Sequence, residues 1–435
     1  MGKYFGTDGI RGKVNEFLNF DLSFNLGKSL SVLKRNRVVI AGDTRESTKP
    51  LKDAVTQGAK INGLDVYDAG VIPTPLLCYL SKRLGAIGVM ITASHNPYHD
   101  NGIKVFLDGE KLFLDTEETI EKAMDDHNLL PKALRVGESF ELKNAMEYYA
   151  ELYRPIQVST EMKIALDLAN GATYSSAKVL FQNVAKELIV MADSPDGRNI
   201  NQNCGSTHPE LLMKLTESKK ADLGFAFDGD GDRVLMVNSS GKLYDGDMMV
   251  FAIATLLKKQ GILRHNLVVL TKMSNLGIIK AFEKAQIDVV QTDVGDKYVL
   301  DELLRRDAVI GGENSGHIIN RLLLDTGDGS LNALFLVKLL HDHQTSMEEL
   351  TKDIVIYPDK MFNLRGVDKT LVKHPEVINK VSEIQKRLGD GGKVLVRASG
   401  TEPLIRISVS CPNEQIVDQS IDEIKNTILN LTKNS

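Results

Sequence analysis

The sequence predicts an α/β protein: three successive α/β domains of similar design followed by a smaller α+β domain. Three observations carry that expectation. Short β-branched runs alternate with longer helical patterns in three consecutive stretches, the signature of parallel α/β units. The C-terminal region breaks this rhythm. And in each of the three stretches a chemically loaded segment follows a strand, where open parallel sheets bind their ligands.

In the first stretch, strands are expected at residues 37–41, 64–69 and 86–92, with helices at 47–61 and 75–84. In the second they fall at 162–168, 187–191 and 221–227, and in the third at 266–270, 287–291 and 308–310, again separated by helical segments. Near the C-terminus, residues 372–388 read as a helix, 393–396 and 404–409 as strands, and 414–431 as a closing amphipathic helix. Domains are thus expected at 1–148, 149–247, 248–358 and 359–435. A chain of 435 residues has room for them at roughly 100–200 residues per domain. No long flexible linker intervenes, so the domains are expected to share one cleft.

The chain is 42% hydrophobic and 26% charged, ordinary for a soluble enzyme. A net charge of −5 argues against a nucleic-acid or anionic-membrane surface, so an anionic substrate needs a local cluster of cations. Cys78, Cys204 and Cys411 are odd in number and far apart, which argues against a disulfide framework or a zinc site. The start has no apolar signal region, and no apolar run approaches the roughly 20 residues that span a bilayer. A cytoplasmic protein with reduced thiols is expected.

Asp228, Asp230 and Asp232 alternate with Gly229 and Gly231. Carboxylates this close repel one another unless a cation neutralises them, and hard divalent ions favour such oxygen cages. An EF-hand fails, because loop positions six and twelve hold Arg233 and Ser239. A plain acidic turn is the alternative. Mg²⁺ could be held by the three aspartates and one phosphoryl oxygen. Arg233 could bind phosphate or pair with a neighbouring aspartate.

Ser94 begins a loop with His95, Asn96 and Pro97, followed by Asp100 to Lys104. Adjacent side chains rarely point at one another, so no Ser–His dyad follows from proximity, and an ordinary polar loop is the competing reading. A phosphoryl group on the serine would complete the metal's coordination and divide a difficult transfer into two steps. Lys104 and Arg11 are candidates to flank that group. Lys104 could instead transfer a proton if positive neighbours lower its pKa, or be a solvated lysine.

Residues 311–317, Gly-Gly-Glu-Asn-Ser-Gly-His, offer Glu313 and Ser315 to adjacent sugar hydroxyls, with Asn314 as an amide and His317 to orient or deprotonate a hydroxyl. A glycine-rich turn with a structural histidine is the alternative. Residues 397–403 and Arg406 suggest a phosphate site: Ser399, Thr401 and the backbone around Gly400 as a nest, Arg397 and Arg406 as forked donors. There is no Walker lysine motif to suggest ATP.

With these four loops in this order, the chain resembles the α-D-phosphohexomutase superfamily over nearly its whole length. The resemblance implies three similar α/β domains with mixed sheets plus a smaller C-terminal α+β domain, heart-shaped around a central cleft. It implies that Ser94 is a phosphoserine, that Ser94, Asp228, Asp230 and Asp232 hold one Mg²⁺ per subunit, and that Glu313 and Ser315 bind sugar hydroxyls. His95, Lys104, Arg11 and His317 join Ser94 as expected catalytic residues. Arg233, Lys297, Asn314, Arg397, Ser399, Gly400, Thr401 and Arg406 join Glu313 and Ser315 in substrate binding. A homodimer is expected on the same ground. The segments 4–12 and 196–208 look like the amino-sugar branch, with two departures: Asn314 where glutamine is common and Lys297 where arginine is common. The implied reaction interconverts glucosamine 6-phosphate and glucosamine 1-phosphate through a sugar bisphosphate, which also serves as activator, and feeds amino-sugar nucleotide synthesis. Competing readings are a mannose/glucose phosphomutase of the same fold, a phosphatase using the acidic loop, and a non-catalytic sugar-phosphate sensor.

Overall fold

The run Val38–Val39–Ile40–Ala41 is fully buried, and this sets the first sheet, because a strand that is apolar on both faces needs cover on both. The computed structural model describes residues 2–6, 8–399 and 404–433. They form two compact units, Met1–Lys272 with Val290–Leu350, and Met273–Val289 with Thr351–Ser435.

In the first unit, strand Arg37–Gly42 lies parallel to Asp65–Val71 on one side and to Ile87–Ile91 on the other. Strand Asp100–Leu107 then runs antiparallel to Ile87–Ile91, and Ile10–Lys13 antiparallel to Asp100–Leu107. Residues 100–104 come directly after the serine turn. They are strand, and the register sets Lys104 opposite Met90 and Arg11 opposite Gly102. The polar start of the strand, Asp100-Asn-Gly, hid it from a search for β-branched runs.

The second sheet repeats the plan. Strands Lys163–Asp167, Glu187–Met191 and Leu223–Phe227 are parallel, and Val234–Asn238 turns back antiparallel to Leu223–Phe227. In the third, the expected strands appear as Leu267–Thr271, Asp288–Thr292 and Ile310–Gly312. Ile310–Gly312 lies parallel to Leu267–Thr271, and Ile318–Asn320 returns antiparallel to it. The sheets are therefore mixed, and each chemically loaded segment is the turn between a parallel strand and its antiparallel return.

The second unit carries a three-stranded antiparallel sheet in the order Asp359–Arg365, Leu404–Ser410, Lys393–Ala398. Helices Pro375–Leu388 and Glu414–Lys433 cover it, with Val377, Ile384, Val417, Ile421, Ile424 and Ile428 in the core. The helix expected from 372 starts at Pro375 because proline suits the first helical position, where no backbone donor is needed. Residues Lys369–Lys373 form a separate short 3₁₀ turn. Among the described residues, no helix is long and apolar enough to cross a membrane, and the three cysteines are free and buried.

Helices Phe20–Ser29 and Thr48–Ile61 pack backbone to backbone. A Cβ on Gly58 would sit 2.0 Å from the Phe24 carbonyl oxygen, and one on Gly27 would sit 2.2 Å from that of Val55. Gly58→Ala should gain about 1 kcal/mol of helix propensity. It should lose more by forcing the helices apart, with overpacking costing roughly 1–3 kcal/mol. The expected outcome is a lower melting temperature in a calorimetric scan, and an unchanged or raised one would contradict this crossing.

Candidate active site

Three turns meet in the first unit. Ser94 is buried and holds a left-handed backbone, φ 52°, which a non-glycine residue keeps only when its surroundings enforce it. Its Oγ donates to Asp228 Oδ2 at 2.6 Å, and His95 Nδ1 lies 3.2 Å from Ser94 Oγ. The two adjacent side chains do converge, contrary to the expectation from proximity alone, because the left-handed turn at Ser94 swings its hydroxyl round.

Asp228, Asp230 and Asp232 each present an oxygen within 4.8 Å of the others, and all three side chains are buried. Thr74 Oγ1 donates to Asp230 Oδ2 at 2.6 Å, while Asp230 Oδ1 has no hydrogen-bond partner. A converging set of hard oxygens with an unsatisfied buried acceptor fits a divalent cation such as Mg²⁺. Burial and the neighbouring Asp232 and Asp230 push Asp228 well above the usual carboxylate range.

Lys104 supplies the nearest positive charge. Its Nζ lies 2.8 Å from Asp230, 3.2 Å from Asp232 and 3.2 Å from Asp8. From there a closed ring of alternating charge runs on. Lys111 joins Asp8 to Asp296 at 2.7 Å each. His317 joins Asp296, at 3.4 Å, back to Asp232, at 3.6 Å. Burial alone would lower Lys104, but Asp230, Asp8 and Asp232 hold it well above its ordinary value. The sequence reading made proton transfer by Lys104 depend on positive neighbours, and its nearest partners are carboxylates. Burial likewise opposes charge on His317, but Asp232 and Asp296 raise its pKa. Its two ring nitrogens thus face carboxylates on both sides, which favour its charged form. Burial would raise Asp232, yet Lys104 and His317 hold it well below the usual range.

Arg11, on strand Ile10–Lys13, pairs with Asp8, and its Nε is buried without a hydrogen bond. Arg233 points its Nε toward Asp232 at 3.8 Å. The metal turn and the third turn are stitched together: Val234 N donates to Gly316 O at 3.0 Å, and Arg233 bridges His317. Glu313 accepts from Gly295 N at 3.1 Å. Asn314 is exposed and Ser315 half-buried, both open to a ligand. Lys297 Nζ donates to Leu112 O at 3.2 Å and lies over the Phe113 ring. It lines a cavity of about 670 Å³ with Asp8, Lys104, Lys111, Phe113 and Asp296.

Arg397, Ser399 and Arg406 belong to the second unit. Arg397, expected in a loop, is on strand Lys393–Ala398, directly across from Arg406 on Leu404–Ser410. Their guanidiniums are thus cross-strand neighbours, at a spacing from which both could grip one anion. Ser399 N donates to Leu404 O at 2.9 Å, closing the hairpin, and Lys369 Nζ donates to Ser399 O at 3.0 Å. Gly400 and Thr401 lie outside the described residues.

Sequence reasoning missed Asp8, Lys111 and Asp296, which complete the charge ring, and the buried pair Asp43–Arg45. Asp43 follows strand Arg37–Gly42, so the strand-end rule that found the other three loops would have found this pair. Asp8 and Asp296 are linked in the ring by Lys111, 103 and 185 positions away, a connection no local pattern shows.

The chain matches the family described as phosphoglucomutase/phosphomannomutase in four parts: α/β/α domain I over residues 2–130, domain II over 146–241, domain III over 245–356 and the C-terminal domain over 359–427. It is 41% identical over 440 residues to phosphoglucosamine mutase of Halalkalibacterium halodurans, covering 98% of each chain. It is 42% identical over 445 residues to that of Desulforamulus reducens, covering 99% of this chain and 100% of the other. A phosphoglucomutase/phosphomannomutase family protein from Burkholderia thailandensis has the same fold, with a TM-score of 0.83 at 22% identity over 99% and 97% of the two chains. So does Aspergillus fumigatus N-acetylphosphoglucosamine mutase, solved with GlcNAc-6P and magnesium, with a TM-score of 0.65 at 18% identity over 99% and 96%.

One titration follows from the serine turn. Burial, then Arg233 and Arg11, lower His95 to about 4. The unfolded chain takes up this proton near pH 6.5 and the folded one near 4, so His95 erodes stability as pH falls between the two. In metal-free, dephosphorylated protein, the imidazole resonance absent from His95→Gln should titrate near 4 by NMR; a midpoint near 6.5 would contradict its enclosure.

Proposed function

The chain belongs to the phosphoglucomutase/phosphomannomutase family, as a relative of its phosphoglucosamine mutases, and from that membership we propose that it interconverts glucosamine 6-phosphate and glucosamine 1-phosphate through a phosphorylated Ser94. The observation that carries the reading is the buried Ser94 hydroxyl, 2.6 Å from an aspartate of the acidic triad. A lone polar loop would have no reason to bury a nucleophile against three carboxylates.

Asp228, Asp230 and Asp232, with an oxygen on Ser94, are the residues that would hold Mg²⁺. Bound there, the ion would neutralise charge on the phosphoryl group being moved. In the first half-reaction the Oγ–P bond breaks as the free sugar oxygen bonds to phosphorus, and the proton that this sugar hydroxyl gives up balances the one that the freed Ser94 Oγ takes on. The bisphosphate turns round. In the second half-reaction Ser94 Oγ bonds to the other phosphorus as the bond from that phosphorus to the sugar oxygen breaks; the serine proton passes to one of the two acceptors in reach, His95 Nδ1 or Asp228, and the freed sugar oxygen takes up a proton in exchange. Lys104, Arg11 and Arg233 act as fixed cations along that path, and His317 holds its place in the charge ring.

Glu313, Asn314, Ser315 and Lys297 are assigned to the sugar, and Arg397, Ser399, Gly400, Thr401 and Arg406 to the phosphate that is not reacting. The same proposal includes four domains at 1–148, 149–247, 248–358 and 359–435. It also includes a cytoplasmic homodimer, a sugar bisphosphate as activator and a product that feeds UDP-N-acetylglucosamine synthesis.

Ser94→Ala is expected to abolish turnover while leaving the circular dichroism spectrum unchanged, and phosphopeptide mapping of the wild type should find its stable phosphate on Ser94. Near-normal turnover by the alanine variant would end the covalent mechanism.

Glucosamine 6-phosphate should be preferred over mannose and glucose 6-phosphates by at least about tenfold in kcat/KM, or roughly 1.4 kcal/mol, within reach of one or two polar contacts. Competing the three sugars under identical Mg²⁺ and bisphosphate conditions tests this. Equal or greater specificity for mannose or glucose phosphate would move the enzyme to that branch and leave the phosphoserine mechanism standing.

A further inference from the structure

The segment 196–208, which no step above uses, folds onto the serine turn. Asn201 Nδ2 donates to Ser94 O at 2.9 Å and to Asn96 O at 3.1 Å. The same two carbonyls receive Arg45 Nη2, at 3.0 and 2.8 Å. Arg45 Nη1 reaches the next two, those of Pro97 and Asp100. Asp43 takes Arg45 Nε at 2.9 Å and Thr92 Oγ1 at 2.7 Å, and Thr92 Oγ1 in turn accepts from Ser94 N at 2.9 Å. Arg45 is 2% exposed and Asn201 7%, so water does not compete for these bonds. From the other side, a Cβ on Gly229 would lie 2.4 Å from Ser94 O, so the metal turn leaves that carbonyl no room.

We infer that Arg45 and Asn201 are positioning residues for the phosphoryl-carrying serine: together they fill both acceptor sites of the Ser94 and Asn96 carbonyls and so hold Ser94 in its left-handed turn. The inference rests on the reading of Ser94 as the phosphoryl carrier. A carbonyl oxygen has two lone pairs, and at each of these two both are taken, one by a guanidinium and one by an amide. The peptide after Ser94 cannot rotate without breaking a bond to each. Ser94 Oγ must serve both half-reactions from one place, and a displacement near 1 Å can cost about a hundredfold in rate. Asn201 is itself left-handed, φ 58°, a conformation that asparagine and aspartate tolerate better than most residues.

Asn201→Asp keeps that backbone preference and the side-chain shape but removes both N–H donors. It is expected to lower kcat, per folded enzyme, by about tenfold or more with KM for glucosamine 6-phosphate within about threefold. Asn201→Ala, which adds no charge near the triad, should show the same split. Arg45→Lys, which keeps a charge for Asp43 but lacks the fork, should lower kcat without restoring it in combination with either. Phosphate on Ser94 is measured by intact mass in each protein. Its absence from the active wild type would overturn the underlying reading and this inference with it. With wild-type Ser94 phosphorylated, well-folded Asn201→Asp and Asn201→Ala enzymes of unchanged kcat would overturn the inference alone, as would losses that only track the unfolded fraction.

Discussion

The first unit depends on neutralising carboxylates that its chain crowds together. The triad Asp228, Asp230 and Asp232 cannot be buried on its own, because each charge removed from water is costly unless paired. The alternating ring of Lys104, Asp8, Lys111, Asp296, His317 and Asp232 meets that requirement. Its members come from all three sheets' neighbourhoods, so the condition that makes the site electrostatically tolerable also ties distant stretches of the chain together. Asp228, which Lys104 does not reach, is left with its pKa raised, and it is this carboxylate that takes the Ser94 hydroxyl.

Geometry follows from a device repeated three times. A parallel strand ends, the chain turns, and an antiparallel strand returns beside it. The turn is thereby held at both ends by a ladder of backbone hydrogen bonds, and its side chains inherit the rigidity of the sheet. Loops tethered at one end would not hold Ser94 within 2.6 Å of an aspartate 134 positions later in the sequence.

Much of this was legible in the sequence, for identifiable reasons. The parallel strands are β-branched runs, and the Asp-Gly-Asp-Gly-Asp spacing marks a place where three carboxylates converge and need positive charge beside them. The returns were harder. Asp100–Leu107 begins with polar residues whose side chains bond to Asn96 and Ser47, and Ile318–Asn320 is three residues long, so neither carries a pattern above its surroundings. The helix start at Pro375 was missed because apolar periodicity runs on through the 3₁₀ turn before it. The hidden site residues, Asp8, Lys111 and Asp296, are single charges whose place in the ring depends on Lys111, which lies 103 positions from Asp8 and 185 from Asp296.

The stitching of the second and third turns has a mechanical meaning. Val234 N donates to Gly316 O, binding the acidic turn to the sugar-side turn, and Gly329 N donates to Gly231 O, binding the same acidic turn to the start of helix Gly329–Asp342, each bond 3.0 Å long. Gly316 is pressed so close that a Cβ there would stand 2.4 Å from Val234 O. Such a lattice does not flex by tenths of an ångström at a time; it holds or it ruptures. The second and third turns therefore form a single anvil, and whatever swivels on it during turnover is the ligand or some other part of the protein.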